Sequence, residues 1–183
     1  MAVIGAGPVG LATMMCARLA KPARIIAIDI DAQRLELAKC KGLADKALDA
    51  SVLDMGKIEA AVREAADGRG ADAVIEAAGG TNTFEMSWRI ARPNAMVVVS
   101  AMYENDQTLP LPSMYGKNLI FKTGGVDATG LEKPLSLIEQ GLIDTSCLIS
   151  KRYALNDILK AYRAFEAREN GCLKVVITPW EER

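Results

Sequence analysis

The chain has 183 residues, half of them hydrophobic, which suits one folded domain or a domain with an appendage. Its 22 basic and 23 acidic residues are interspersed and leave a net charge of −1, so no nucleic-acid-binding surface is expected. The sequence contains no apolar run of about 18 residues, so no membrane span is predicted. The apolar N-terminus lacks a basic leader and is interrupted by glycines and Pro8, unlike a signal peptide, so we expect a cytoplasmic protein.

Regular alternation of strands and helices is the main pattern of the chain. The predicted elements, in chain order, are strand 2–4, helix 9–20, strand 24–28, helix 32–41, strand 46–49, helix 57–66, strand 71–80 with its glycine turn, helix 82–92, strand 95–101 and strand 118–122. Asp31 and Gly42 are the predicted start and stop signals of the second helix. The alternation predicts a doubly wound, parallel Rossmann sheet of six strands in the order 3-2-1-4-5-6.

The sequence changes character after the sixth strand. A helix at 131–140 is followed by an amphipathic helix that we expect Asn156 to cap, and by a last strand at 173–177. Because six strand–helix units are already complete, this last part looks like an appendage. We therefore predict a dinucleotide-binding domain at 1–146 and a C-terminal segment at 147–183 that belongs to another domain.

A glycine-rich turn follows the first strand. Gly5, Gly7 and Gly10 have the Gly-x-Gly-x-x-Gly spacing in which the first glycine makes the turn, the second admits a pyrophosphate and the third lets helix and strand pack closely. Alone this spacing is a weak signal, but Asp29 ends the next strand about 20 residues on, as the fingerprint requires. A carboxylate there binds ribose hydroxyls and repels a 2′-phosphate, so NAD is predicted over NADP. Arg34 either reaches the same ribose or is a solvated helix arginine.

The later strands end in small residues. Glu76 ends the fourth strand, followed by two alanines and two glycines, and similar short segments follow the fifth and sixth strands. Parallel sheets of this type bind ligands at the carboxyl ends of their strands. Glu76 is a possible general base, but its small neighbours favour a lining role beside a flat ring.

The four cysteines, Cys16, Cys40, Cys147 and Cys172, form no C-x-x-C pair. We expect buried free thiols rather than disulfides or a zinc clip. The chain contains no histidine, which is the commonest metal ligand.

Together these stretches resemble the medium-chain, zinc-dependent alcohol dehydrogenase family over nearly the whole chain. The resemblance rests on VIGAGPVGL, ARIIAIDID, GRGADAVIEAAGG, FKTGG, LIEQGLIDTSCLISKRYALNDILKAYRAFE and LKVVITP. Within the family, YENDQTLPLP and FKTGGVDA resemble the secondary-alcohol and polyol branch.

The resemblance implies roles for particular residues. Those matching the family's cofactor contacts are Gly5, Gly7, Val9 and Gly10 at the pyrophosphate, Asp29 and Arg34 at the adenosine ribose, Ala78, Val99, Ser100, Ala101 and Thr123 around the nicotinamide, and Lys174 at the pyrophosphate. Lys151 departs from the pattern, since many relatives have histidine there. Relatives also pair subunits through the sixth strand, which implies a homodimer or higher homo-oligomer through residues 118–122.

In this family an N-terminal domain precedes the glycine turn and supplies the catalytic zinc. The present sequence starts at the turn and has no matching ligand set, so we expect it to bind NAD without oxidising an alcohol. Zinc and the small alcohol substrate would bind only in the intact parent enzyme. Two alternatives stay open: a free-standing NAD-binding sensor or interaction module, and a zinc-independent reductase of the same superfamily.

Overall fold

The computed structural model describes residues 1–125, 129–168 and 171–179. The chain divides into two compact units, Met1–Ala128 and Thr129–Arg183. Residues 126–128, which end the FKTGGVDA stretch, lie outside the described residues. The predicted assignment of residues 147–183 to another domain stays a prediction.

The first unit alternates strands and helices as predicted. Its elements are β1 (Ala2–Ile4), α1 (Pro8–Leu19), β2 (Ile26–Asp29), α2 (Ala32–Cys40), β3 (Lys46–Asp49), α3 (Met55–Ala65), β4 (Ala71–Glu76), α4 (Thr83–Ile90), β5 (Ala91–Val99), α5 (Leu111–Met114) and β6 (Ile120–Thr123). The six strands form one sheet in the order β3-β2-β1-β4-β5-β6, and every pairing is parallel. The predicted fold class is confirmed.

Both faces of the central strands are buried, which explains their unbroken apolar sequences. Side chains alternate across a strand, so Ile4 and Ile28 pack with α3 and α4 in one cluster. Val3 and Ala27 point to the opposite face and are equally buried. The sheet is thus covered by helices on both sides, and its strand ends are held in a fixed register.

Capping residues set several helix starts. Asp31 caps α2 by accepting hydrogen bonds from the amides of Gln33 and Arg34, at 2.9 and 3.2 Å, as predicted. Asp54 caps α3 in the same way, a start that the sequence analysis placed at 57, two residues too late. At the start of α4, Asn82 occupies the cap position without a side-chain hydrogen bond.

Two predicted boundaries need correction. Strand β2 begins at Ile26 rather than at 24, because the amide of Ile25 binds the Asp45 carboxylate at 2.6 Å. Helix α4 ends at Ile90 rather than at 92, and β5 begins directly after it. The residue before a proline disfavours helical backbone, and Pro93 stands at this junction.

The segment between β5 and β6 contains the short helix α5. Proline at the first turn of a helix has a suitable φ angle, and Pro112 lies there. Met114 then packs against Phe84 and Trp88 of α4. Lys117 fixes the same region, since its ammonium group donates to the carbonyls of Trp88, Arg89 and Ala91 at 2.7–3.0 Å.

The second unit contains a strand–helix–strand motif. Its elements are α6 (Glu132–Glu139), β7 (Lys151–Ala154), α7 (Ile158–Glu166) and β8 (Val175–Thr178). Strands β7 and β8 pair in parallel. The predicted Asn156 cap is wrong, because Leu155–Asp157 form a 3-10 turn that places Asp157 at the start of α7. The apolar side chains Leu159, Tyr162 and Phe165 of α7 are exposed.

All four cysteines are free thiols, as expected. Their expected burial holds for Cys172 alone; Cys147 is half-buried, and Cys16 and Cys40 are exposed. Among the helices of the described residues, none is long and apolar enough to cross a membrane.

Candidate functional site

The carboxyl ends of five strands lie side by side at one edge of the sheet. Strand pairing aligns, in sheet order, Ile28, Ile4, Glu76, Val99 and Thr123. Eleven of the twelve candidate residues lie on this row or in the turns and helix starts that follow it: Gly5, Gly7, Val9, Gly10, Asp29, Arg34, Ala78, Val99, Ser100, Ala101 and Thr123. The fold therefore brings them together although they are spread over more than a hundred positions of the sequence.

The turn after β1 brings helix and strand into very close contact. Gly5 has a φ of +94°, and its amide donates to the Ile28 carbonyl at 2.7 Å. A Cβ atom on Gly10 would lie 1.7 Å from the carbonyl oxygen of Gly5. Only a residue without a side chain fits at Gly10, as the glycine spacing predicts.

The first turn of α1 offers unpaired backbone donors. Within the described part of the chain, the amides of Val9 and Gly10 have no protein acceptor. The first turn also contains no acidic residue, and Gly7 at the cap position has no side chain that could accept a hydrogen bond from these amides. Free amides and the positive end of the helix dipole suit an anion such as a pyrophosphate.

Asp29 is attached to the glycine turn. One carboxylate oxygen accepts a hydrogen bond from the Ala6 amide at 2.5 Å, and the other accepts from the Asp31 amide at 2.9 Å. The sequence analysis did not foresee the bond to Ala6. Because a carboxylate oxygen has room for two hydrogen bonds, each oxygen can still accept one from a ligand hydroxyl.

Arg34 also faces the turn. Its Nη1 atom lies 3.6 Å from the position that a Cβ atom on Gly7 would occupy. The Nε atom is 3.4 Å from the Asp31 carboxylate, an ion pair within α2 and its cap. The half-buried guanidinium thus adds positive charge beside the free amides of α1, and both interpretations of Arg34 stay open.

Glu76 has neither of the roles considered from sequence. Its side chain is 0% exposed, which removes it from direct contact with a ligand in this structure. Its Oε1 atom accepts hydrogen bonds from the amides of Ala78 and Gly79, both at 2.9 Å. The carboxylate therefore stabilises the turn that follows β4.

Tyr103 is a residue that the sequence analysis missed. Its hydroxyl lies 2.9 Å from the Thr83 hydroxyl, close to Glu76. Burial raises the pKa of the Tyr103 hydroxyl to about 12; the Thr83 hydrogen bond opposes the shift and the Glu76 carboxylate adds to it. Tyr103 was quoted from sequence only as the first residue of YENDQTLPLP and received no role of its own, because it lies in an irregular segment and its neighbours come from α4 and β4.

Lys174 belongs to the second unit. Its backbone carbonyl accepts hydrogen bonds from the amides of Ser150 and Lys151, at 2.9 and 3.4 Å, just before β8. The implied contact of Lys174 with a pyrophosphate stays a prediction.

A cavity of about 1050 Å³ lies between α4 and the segment that follows β5, and it includes none of the twelve candidate residues. Its lining carries charges of both signs: Arg89 pairs with Glu59 and Glu85 and Lys117 binds backbone carbonyls, while the remaining charged residues are Arg63, Glu104 and Asp106. The cavity therefore has no evident preference for one ligand charge.

The family resemblance also implies a catalytic zinc site in the intact parent enzyme. Among the described residues, no three histidine, cysteine or acidic side chains lie close enough together to hold a metal ion. The described residues thus do not fit a catalytic zinc site.

Comparison with known proteins gives consistent results. A family model described as zinc-binding dehydrogenase matches residues 8–126. An alcohol dehydrogenase from Cupriavidus necator is 35% identical over 98% of this chain and 49% of its own length. An NADP-dependent isopropanol dehydrogenase from Thermoanaerobacter brockii is 27% identical over 97% of this chain and 51% of its own length. The chain thus spans about half the length of the curated relatives that it matches.

Solved structures show the same coverage. A zinc-dependent alcohol dehydrogenase from Streptococcus pneumoniae, in its apo form, has a TM-score of 0.91 and 31% identity, over 100% of this chain and 52% of its own. An alcohol dehydrogenase from Escherichia coli CFT073, solved with NADH, has a TM-score of 0.85 and 25% identity, over 97% of this chain and 51% of its own.

The close contact at Gly10 can be tested by Gly10→Ala. We expect a loss of at least about 2 kcal/mol of stability, since a methyl group cannot fit against the Gly5 carbonyl, and a fall in Tm of about 4 °C or more. The control is Gly56→Ala in α3, where a Cβ atom meets only the Asp54 carboxylate at 3.4 Å. Thermal unfolding of both variants gives the comparison. An unchanged Tm for Gly10→Ala would contradict the geometry.

Proposed function

The chain belongs to the zinc-binding dehydrogenase family, and from this premise we propose that it forms the NAD-binding part of an alcohol dehydrogenase. The observation that carries the proposal is the arrangement around α1. Unpaired amides at the helix start, the side-chain-free contact at Gly10 and a carboxylate bonded to the Ala6 amide lie together at one strand end. These are the elements that a dinucleotide requires for its pyrophosphate and ribose.

Each part of the cofactor then has its own group of residues. The amides of Val9 and Gly10 bind the pyrophosphate, with the Arg34 guanidinium beside them. Asp29 accepts hydrogen bonds from the ribose hydroxyls. The nicotinamide half lies along the strand ends on the other side of β1, against Ala78, Val99, Ser100, Ala101 and Thr123.

The bound nicotinamide ring supplies hydride transfer to or from the alcohol carbon. The residues of this chain bind the cofactor, orient it and shield one side of it. The zinc named in the family description does not fit the described residues, so the role proposed for them is limited to the cofactor. A secondary alcohol or polyol is the proposed substrate of the whole enzyme, supported by the isopropanol dehydrogenase among its relatives. A cytoplasmic location stays a prediction.

The carboxylate of Asp29 favours NAD over NADP. It lies where the adenosine ribose would bind and would repel a 2′-phosphate. One relative is described as NADP-dependent, so the preference between NAD and NADP has to be argued from the residues of each chain. The fixed orientation of Asp29, held by the amides of Ala6 and Asp31, strengthens the preference because the carboxylate cannot turn away without losing both hydrogen bonds.

We predict that NAD(H) binds at least tenfold more tightly than NADP(H), a difference of about 1.4 kcal/mol. Asp29→Ser should narrow this gap, because it removes the charge that repels the 2′-phosphate. The measurement is calorimetric titration of both cofactors. The readout is the ratio of the two dissociation constants. Loss of the hydrogen bond from Ala6 weakens the binding of both cofactors together and so leaves this ratio unchanged.

Asp31→Asn is the matched control. It removes one negative charge two residues away, yet an asparagine can still cap α2. We expect this variant to keep the preference for NAD(H). Equal affinities of the unmodified chain for the two cofactors would refute the role of Asp29. So would an Asp31→Asn variant that reduces the NAD(H)/NADP(H) affinity ratio as much as Asp29→Ser does.

We also propose a homodimer through β6. This strand is the last of its sheet in the described part of the chain, so one side of its backbone lacks a neighbouring strand. An apolar strand edge associates readily unless it is covered. Ile120 on β6 is 57% exposed, and Leu111 and Tyr115 nearby are also exposed. A two-fold axis would pair the same strand of two copies in antiparallel fashion.

Sedimentation of Ile120→Lys tests this interface. A buried lysine charge at the pairing edge should convert a dimer to a monomer. Leu119 is unsuitable for the same test, because its side chain packs against the core. Val52→Lys provides the control, since Val52 is 72% exposed and lies just after β3 at the opposite edge of the sheet. An unmodified chain that is monomeric, or a dimer unaffected by Ile120→Lys, excludes the β6 interface.

A further inference from the structure

Two turns at the proposed nicotinamide end meet at one buried residue, Glu76. The side chain stabilises the turn after β4, since Oε1 accepts from the amides of Ala78 and Gly79. The backbone carbonyl of the same residue stabilises the segment after β5. It accepts from the amides of Ser100 and Ala101 at 2.9 and 3.2 Å, and from the Ser100 hydroxyl at 3.0 Å. Five hydrogen bonds thus converge on Glu76.

The two turns are also in direct contact. Gly79 has a φ of +67°, and a Cβ atom placed on it would lie 2.7 Å from the Met102 carbonyl oxygen and 3.4 Å from the Ala101 side chain. A shift of the first turn would therefore move the second. Because Ala78, Ser100 and Ala101 are among the predicted contacts of the nicotinamide ring, their relative positions depend on this junction.

The carboxylate uses only one oxygen for these contacts. Oε2 is buried and makes no hydrogen bond of normal geometry in the described part of the chain, although the Tyr103 hydroxyl is close enough for the Glu76 carboxylate to raise its pKa. The hydrogen bonds to Ala78 and Gly79 would therefore be available to the amide oxygen of a glutamine. A methionine of similar length would leave both backbone donors buried without an acceptor.

We propose that Glu76 is a positioning residue that sets the nicotinamide half of the cofactor site. It acts through Ala78 and Ser100–Ala101 without touching the cofactor. This inference rests on the proposed function, since it assumes that a nicotinamide dinucleotide binds at this edge. The adenosine half of the site, at Asp29 and α1, is set by separate hydrogen bonds.

The test compares NADH with ADP-ribose, which contains the adenosine and pyrophosphate parts but lacks the nicotinamide ring. Calorimetric titration of both ligands is made with the full chain and with Glu76→Met and Glu76→Gln. Glu76→Met should weaken NADH by about tenfold or more and ADP-ribose by less than about twofold. Glu76→Gln, which retains the acceptor, should restore the NADH affinity.

The outcomes separate three possibilities. A parallel loss of both ligands in Glu76→Met, or no loss of either, overturns the positioning role. A loss of NADH binding in Glu76→Gln equal to that in Glu76→Met overturns the hydrogen-bond explanation. If the unmodified chain binds neither NADH nor ADP-ribose, the proposed function itself fails.

A second variant tests the same junction if Glu76→Met does not fold. Gly79→Ala forces the two turns apart without removing a buried acceptor, and it should also weaken NADH more than ADP-ribose. Gly42→Ala is its control, because Gly42 has a nearly equal φ of +66° and no atom within 4 Å of the added Cβ. A change in the ratio of the two affinities in Gly42→Ala, or none in Gly79→Ala, contradicts the proposal.

Discussion

The parallel register of the sheet is the constraint on which the candidate site depends. Strands buried on both faces cannot slip by one residue without turning their apolar side chains to the wrong face, so Ile28, Ile4, Glu76, Val99 and Thr123 stay aligned in one row. The turns that follow must then meet at one edge, whatever their separation in the sequence. A few short-range contacts, at Gly10, Asp29 and Glu76, convert that alignment into a defined surface.

Those contacts divide the edge into two halves. Around α1, the contact of Gly10 with Gly5 and the bond from Ala6 to Asp29 arrange free amides and a carboxylate side by side. On the other side of β1, the five hydrogen bonds to Glu76 join the turns after β4 and β5.

Much of this could be predicted from sequence because the physical signals were local. The strand order followed from alternating strands and helices, and the glycine spacing with Asp29 indicated a dinucleotide-binding turn after the first strand. Other features depended on tertiary contacts without a local signal. The hydrogen bond from Ala6 to Asp29 joins residues 23 positions apart. Met114 forms a helical turn because α4 supplies its packing partners. The burial of Glu76 became evident only with β5 in place, since an acid at a strand end is usually exposed.

The central claim is that a nicotinamide dinucleotide binds along the row of strand ends. Backbone amide NMR spectra of the chain, recorded during titration with NADH, test it most directly. The account predicts that the largest shifts occur in residues 5–10, 29–34, 77–79 and 99–101. Shifts confined to the cavity between α4 and the segment after β5, or no shifts at millimolar NADH, would contradict it.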